Sequence, residues 1–453
     1  MRAATPPAGA GLLWHLQRTI GLAAPVMLAR AGLLIMTTVD AVMIGRVSGE
    51  GLAFYGLATA PFLFFMLTGI GALIGTVVLV SQAHGVGDLP RCGIIWRLGL
   101  VLAAVYAVPV TALLMTGPAL LALLGQSPTL AAGGGEVLRA MSLGLLPMLV
   151  FAATSFFLEG LGRPGPGMVV MLAANVVNAW LNALFLFGWF GLPESGAAGA
   201  ALATSLTRWL MAAALVIWVF RVADRATLGV HGPLRDGRAQ FAKLVRLGVP
   251  IAVANGLESG AFSAMSMFAG WLGTVPAAAY LVCLNLASLI YMLALGLGTA
   301  ASVRVGNAVG RGDGPGVAIA GWTAVGLGLA VTFVLAPALW LFRAEIAAAY
   351  TTDPAVIAHA LPAVALLGVL IVVDAAQGIL MGALRGTGDV RLPLAVQGIA
   401  YVVVAVPVGH VLAFTAGFGI EGLIGGLTAG LATAALLLGL RFLRVSRERL
   451  DAL

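Results

Sequence analysis

SQAHGVGD (81–88) and GNAVGRGD (306–313) share an alanine, both glycines and the closing aspartate, and they lie 225 residues apart. The same shift sets LAAP (22–25) over LGVP (247–250) and Gly45 over Gly270. One residue further in register, GQSP (125–128) meets TTDP (351–354), and EGLGR (159–163) meets RGTGD (385–389). The correspondence runs through nearly the whole chain, so the fold is a duplication. The two copies are 1–220 and 244–453, joined by the longest basic segment, RVADRATLGVHGPLRDGRAQFAK (221–243).

Hydrophobic residues make up 61% of the 453 positions, charged residues 9%, and mean hydropathy is +1.07. A soluble domain is nearer half apolar and about a quarter charged. A chain this apolar cannot hide its surface from water in one core, and it reads as a bilayer protein. Its 61 glycines and 21 prolines sit inside apolar runs, where packed transmembrane helices tolerate them. Cys92 and Cys283 stand singly in apolar surroundings and read as packing residues. The first 19 residues lack the order of a signal peptide, so the first apolar run is expected to stay in the mature protein.

Spans of about 20–27 residues give roughly twelve helices, near 20–44, 54–80, 94–116, 136–158, 167–190, 196–220, 244–271, 278–303, 317–341, 356–382, 393–415 and 421–443. With both termini on one side, that side collects Arg2, Arg18, Arg91, Arg97, Arg163, Arg221, Arg225, Arg235, Arg304, Arg385, Arg441, Arg449 and their basic neighbours. The other side holds Arg46, Arg139 and Arg343. The excess of basic residues therefore places both ends in the cytoplasm. The net charge of +7 is explained by orientation, and no nucleic-acid partner is needed.

Six helices per copy is an even number, so both copies enter the membrane in the same direction. The expected fold is an all-α polytopic membrane protein, two six-helix bundles related by a pseudo-two-fold axis along the membrane normal. Two such bundles would enclose a central cavity and rock to expose it on either side, which points to transport. A channel or scaffold is the other outcome of such a duplication.

Three acids lie deep in spans: Asp40 in the first, Glu258 in the seventh and Asp374 in the tenth. Such charges are costly in hydrocarbon, and they mark either a structural ion pair or a cation or proton site. The repeat sets Leu33 against Glu258, Leu149 against Asp374, and Met265 against Asp40. The acids are thus additions to the duplicated scaffold. If the seventh and tenth spans are neighbours, Glu258 and Asp374 share one pocket and can exchange a proton or jointly hold Na⁺. Asn255 lies one turn before Glu258 and Gln377 one turn after Asp374, each on its acid's helix face. Asn175, Asn178 and Asn182 line one face of the fifth span, with Thr204 in the sixth, as cavity groups or as interhelical hydrogen bonds.

Arg30 and Arg208 also fall within spans. Arg30 is ten residues, about 15 Å of helix, from Asp40, and a pairing with Glu258 is open to it. Nothing in the sequence accounts for Arg208. Phe262, Met265, Phe268 and Tyr291 are candidates for an adaptable apolar wall, although their helical spacing also suits plain packing. The Gly-x-Gly-Asp runs at 85–88, 310–313 and 386–389 hint at an intramembrane protease. They fall at basic helix ends, where glycine stops a helix and aspartate makes a turn. No phosphate-cradling loop, nucleophile elbow or His/Cys cluster is present, so the chain reads as no enzyme and as needing no cofactor.

LNLASLIYMLALGLGTAASVRVGNAVGRGD (284–313), TTVDAVMIGR (37–46), FFLEGLGRPGPGM (156–168) and MGALRGTGDVRLP (381–393) resemble the multidrug and toxic compound extrusion (MATE) transporters, in particular the bacterial NorM-type branch. The resemblance covers the whole chain. It implies a secondary active antiporter in the bacterial inner membrane, working as a monomer. Such a protein would export organic cations and amphiphilic drugs in exchange for Na⁺ or H⁺ by alternating access. By position, Asp40 matches the family's acid of the first half, and Glu258 and Asp374 match its cation-site acids of the second. Asn178, Asn182 and, more faintly, Thr204 fall on its polar positions. Arg30 departs from the neutral residue expected there, and Glu159 reads as a loop contact at a helix end. A lipid-linked sugar flippase of the wider superfamily and an ion channel are the alternatives.

Overall fold

The computed structural model describes residues 11–186, 188, 195–221, 227–233 and 236–451. Arg2, Arg225, Arg235 and the side chain of Arg449 lie outside the described residues. In chain order the helices are α1 (Leu12–Val47), α2 (Gly49–Leu73), α3 (Gly75–Val86), α4 (Leu89–Met115), α5 (Gly117–Leu123) and α6 (Pro128–Ser142). There follow α7 (Leu145–Gly160), α8 (Gly165–Leu186), α9 (Gly196–Arg221), α10 (Gly237–Leu272), α11 (Thr274–Arg311) and α12 (Gly314–Leu341). The last are α13 (Arg343–Tyr350), α14 (Pro354–Thr387), α15 (Arg391–Gln397), α16 (Val406–His410) and α17 (Gly419–Asp451). Two π-helical stretches, Gly398–Ala405 and Val411–Thr415, flank α16. No strand occurs among the described residues.

Helix occupies each expected span over most of its described residues, the fifth as far as Leu186. The second is built from α2 and α3, interrupted at Ile74, and the fourth from α6 and α7, interrupted at Leu143–Gly144. Eleven helical stretches among the described residues are long and apolar enough to cross a membrane. α10 covers the remaining expected span and carries Asn255, Glu258, Ser259, Ser263 and Ser266. Large apolar side chains such as Val176, Phe333, Val334, Trp340 and Val403 lie exposed, as suits lipid-facing surfaces and would be costly in water.

The duplicated motif becomes legible as helix punctuation. Gly87 (φ 86°) ends α3 in the left-handed region, and Asp88 caps α4 by accepting from the Arg91 amide at 3.3 Å. Gly312 (φ 71°) ends α11, and Asp313 caps α12 by accepting from the Gly316 amide at 2.8 Å. Glycine takes that backbone region without steric cost, and aspartate satisfies amides left open at a helix start. In the third run Asp389 pairs with Arg441 at 2.7 Å. Asp88 and Asp313 therefore serve as helix caps, and Asp389 as an ion-pair partner.

The chain divides into two compact units, Leu28–Ala252 and Val253–Leu453 with Met1–Met27. The boundaries fall inside α1 and α10, shortly after Pro25 and Pro250. In the first unit polar side chains lock the helices together. Trp96 Nε1 donates to Thr154 Oγ1 at 3.2 Å, and the Ser205 hydroxyl donates to the Ala140 carbonyl at 2.7 Å. In the segment between α9 and α10, Leu228 and Val230 are buried, and the Leu228 carbonyl accepts from Gly93 at 2.9 Å. That part of the expected linker packs into its unit.

The second unit is organised around α14, which packs on α11, α12 and α17. Two apolar clusters fill it, one around Met265, Tyr280, Leu367, Tyr401 and Leu427, the other around Ala300, Val325, Ile379 and Phe442. Arg304 of α11 holds the start of α1 to this unit. It donates to the His15 carbonyl at 3.0 Å and to the Thr19 hydroxyl, and its Nη2 meets His15 Nδ1 at 2.6 Å. α11 and α14 touch backbone to backbone where Gly382 faces Gly298. A Cβ on Gly382 would come within 2.6 Å of the Gly298 carbonyl carbon. Small residues permit such approaches in membranes, where packing replaces the hydrophobic drive between helices. Gly382→Ala is expected to cost about 1–3 kcal/mol through backbone displacement, read as a lower thermal midpoint of the solubilised protein. An unchanged midpoint would contradict this close approach.

Candidate functional site

Each unit buries its own acidic centre. In the first, Asp40 of α1 is fully buried and accepts three hydrogen bonds. Asn182 Nδ2 donates to Oδ1 at 2.5 Å, while Thr204 Oγ1 and the Tyr55 hydroxyl donate to Oδ2 at 2.7 and 3.3 Å. Asn178 joins the network, donating to Thr204 Oγ1 at 3.0 Å and accepting from Asn182 at 3.3 Å. The i, i+4 spacing of Asn178 and Asn182 on α8 puts both amides on one face, as the sequence suggests. Asn182 Oδ1 is buried without a hydrogen-bond partner.

Arg208 acquires a place in this cluster. It is buried, its guanidinium lies 4.8 Å from the Phe62 ring centroid, and its charge acts on Asp40 and Tyr55. A buried cation is costly without a compensating charge, and the charge of Asp40 acts on it. Asn175 stays outside the cluster, donating instead to the Met171 carbonyl of its own helix at 2.9 Å.

Two readings from the sequence change in this unit. Arg30 has its partner in its own half: Nη2 lies 3.7 Å from Glu159 Oε1, and the guanidinium is 5.1 Å from the Phe156 ring centroid. Glu159 is correspondingly no loop contact. It is buried on α7, with Oε2 lacking any hydrogen-bond partner. Both side chains stand on strongly apolar helices, where either charge would be costly alone.

The second unit gathers Glu258 of α10, Asp374 of α14, Tyr291 of α11 and Tyr401 of the first π-helical stretch. Glu258 is within hydrogen-bonding reach of the Tyr291 and Tyr401 hydroxyls, and its charge acts on Asp374. Tyr291 lies against α14 where Gly378 leaves room; a Cβ there would sit 3.7 Å from the ring. The π-helical turn that carries Tyr401 is fixed by a bond from the Val406 amide to the Tyr401 carbonyl, five residues back. Pro407 follows immediately and has no amide to continue an ordinary ladder.

Asp374 and Gln377 are both buried. Asp374 Oδ1 and Gln377 Oε1 are both buried without a hydrogen-bond partner. Buried oxygens in that state are costly, and they are free to accept from a donor or to coordinate a small hard cation. Asn255 meets a residue that the sequence presents only as an orienting charge: Arg385 Nη2 donates to Asn255 Oδ1 at 3.1 Å. Phe262 packs against the apolar cluster, and Met265 and Phe268 lie within it, Phe268 beside the rings of Trp271, His410 and Phe414. Tyr55, Tyr401, Arg208 and Arg385 are the site residues that sequence reasoning leaves unassigned.

Comparison with known proteins places this arrangement. The MatE family model matches residues 25–184 and 250–411, two copies whose starts repeat the 225-residue displacement. The chain belongs to the MATE family. Within it the chain is similar to a probable multidrug resistance protein NorM of Caulobacter vibrioides, 36% identical over 436 residues, covering 95% of this chain and 92% of that protein. It is equally similar to the multidrug resistance protein NorM of Burkholderia vietnamiensis, 36% identical over 449 residues, covering 97% and 96%. The crystal structure of the eukaryotic MATE transporter AtDTX14 shares the fold, with a TM-score of 0.85 at 22% identity over 97% of this chain and 99% of that one. The chain is thus a multi-pass bacterial membrane transporter of the NorM type, and no enzyme.

Proposed function

We propose that this MATE-family protein is a secondary active multidrug antiporter, exporting organic cations and amphiphilic drugs across the bacterial inner membrane in exchange for Na⁺ or H⁺. In this reading both termini are cytoplasmic and one polypeptide suffices. The NorM relatives, named as multidrug resistance proteins, support the substrate class. The observation that carries the coupling reading is the Glu258/Asp374 pair, two interacting acids beside buried oxygens that have no partner. A coupling cation bound there satisfies those oxygens and removes the negative charge that attracts a cationic drug. Loss of that ion restores the attraction. Competition for the same carboxylates is what makes the exchange obligatory.

Asp40 supplies the corresponding group of the first unit. Its carboxylate is held by donors only, which suits the ionised form. Protonation would require one acceptor, and Asn182 Oδ1 is a buried acceptor without a partner in the same cluster. In this reading Asp40 takes a proton and rearranges the Asn178, Asn182 and Thr204 network that faces it.

The energetics set the scale. A tenfold ion gradient is worth about 1.4 kcal/mol, and one charge crossing 100 mV about 2.3 kcal/mol. One-for-one exchange with a monovalent cationic drug moves no net charge, so a tenfold gradient supports roughly tenfold accumulation. Everted vesicles given an imposed Na⁺ gradient, or an imposed pH gradient, one at a time, identify the driving ion. Ethidium accumulation is expected with at least one of the two and collapse on dissipating it. Accumulation that ignores both gradients would overturn the antiport reading, and ion flux without ethidium would favour a channel.

A further inference from the structure

The contact between Arg30 and Glu159 has a counterpart in the other unit, with the charges rearranged. The 225-residue register puts Asn255 where Arg30 stands, and the neighbouring register puts Arg385 where Glu159 stands. Both pairs are in contact, Arg30 with Glu159 at 3.7 Å and Asn255 with Arg385 at 3.1 Å. One inherited meeting of the first and fourth spans thus carries a closed ion pair in one copy and a cation on a neutral amide in the other. In the second copy the guanidinium meets no carboxylate in that contact.

Where that charge points is settled by the helix it rests on. Asn255 lies three residues before Glu258 on α10, so the two share a face. Arg385 and Glu258 interact electrostatically, and the charge of Glu258 acts in turn on Asp374. Arg385 Nε is buried with no hydrogen-bond partner, so the amide alone leaves the guanidinium under-satisfied. Two carboxylates and one fixed guanidinium leave a net charge of one negative unit.

We propose that Arg385, held by Asn255, is the fixed counter-charge of Glu258, and that it limits the Glu258/Asp374 site to a single monovalent coupling cation. The inference rests on the antiport reading and specifies the stoichiometry of its central site. Two acids in one unit would otherwise admit two cations. A charge that stays tethered does the neutralising work of the second ion without being transported. Asp374 is then the carboxylate whose charge the mobile ion answers.

The test counts cations displaced by a drug. Purified full-length protein carrying Asp40→Asn, which silences the other unit's acid, is equilibrated with ²²Na⁺ in weakly buffered solution containing a pH-indicator dye. Saturating ethidium is added, and the sum of Na⁺ and protons released per polypeptide is recorded. One cation is expected with Arg385 present, two with Arg385→Gln, and one again with Arg385→Lys. Release of two cations while Arg385 is present would overturn the proposal, as would an unchanged count of one in folded Arg385→Gln. Should Arg385→Gln not yield monodisperse protein, the count on the Asp40→Asn protein alone decides between one and two. Release of no cation at all would instead bring down the antiport reading on which the inference stands.

Discussion

Asp374→Asn and Glu258→Gln are each expected to reduce gradient-driven ethidium export in proteoliposomes to the level of protein-free vesicles. Each substitution keeps the shape of the side chain and removes the charge. Burying a carboxylate costs free energy that its neighbours repay incompletely, so an uncharged isostere is tolerated by the fold and can even stabilise it. Asp374 makes the point sharply, since its Oδ1 is buried with no hydrogen-bond partner. The measurement pairs export with the thermal midpoint of the same preparation. Lost export with a retained midpoint supports a coupling role, and full export by both variants would remove these residues from the mechanism.

The second large effect concerns stability in the other unit. Asp40→Leu removes the anion beside Arg208 and leaves three donors, on Tyr55, Asn182 and Thr204, facing hydrocarbon. Breaking one side of a buried charge pair typically costs about 3–5 kcal/mol, and a fall in thermal midpoint of that order is expected. Arg208→Met keeps most of the volume and the contact with Phe62, so the double variant should recover a substantial part of the loss. Such recovery is the signature of two coupled groups. Additive losses in the double variant would show that Arg208 and Asp40 act independently, and would return Arg208 to the status it has in the sequence, a charge without a reason.

Much of this is open to sequence reading because the bilayer makes its violations expensive. Apolar runs mark all the spans that helix occupies, and the three deep acids stand out against them. The duplicated Gly-x-Gly-Asp motif resolves into a left-handed glycine and a capping aspartate, chemistry local enough to be read from neighbouring residues. The interruptions at Ile74 and at Leu143–Gly144 are not legible, since glycine is frequent throughout and marks no particular break.

Tertiary partners are harder to read. Arg385 sits among basic residues at a span's end and is absorbed into the orientation argument, although the repeat already sets it against Glu159. Arg30 looks anomalous in sequence because its partner is sought at Glu258, while Glu159 stands one residue past the expected end of its span and yet inside α7. Tyr55 and Tyr401 are indistinguishable in sequence from tyrosines that merely pack. Only their hydroxyls, brought beside Asp40 and Glu258 by the fold, give them a role. Met265 and Phe268 show the converse, residues whose spacing suits a binding wall and which the structure seats in an apolar cluster.

The most direct test of the central claim is whether drug and coupling cation exclude one another at Glu258 and Asp374. Ethidium bound to the purified wild-type protein is titrated by fluorescence with Na⁺ at fixed pH, and then with acid at fixed Na⁺. At least one titration is expected to release the drug competitively, shifting its apparent Kd about tenfold for each tenfold rise in that ion beyond the ion's own Kd. Glu258→Gln and Asp374→Asn should each lose the shift. Ethidium that stays bound, with an unchanged Kd, as both ions rise to saturation would contradict shared carboxylates as the basis of coupling.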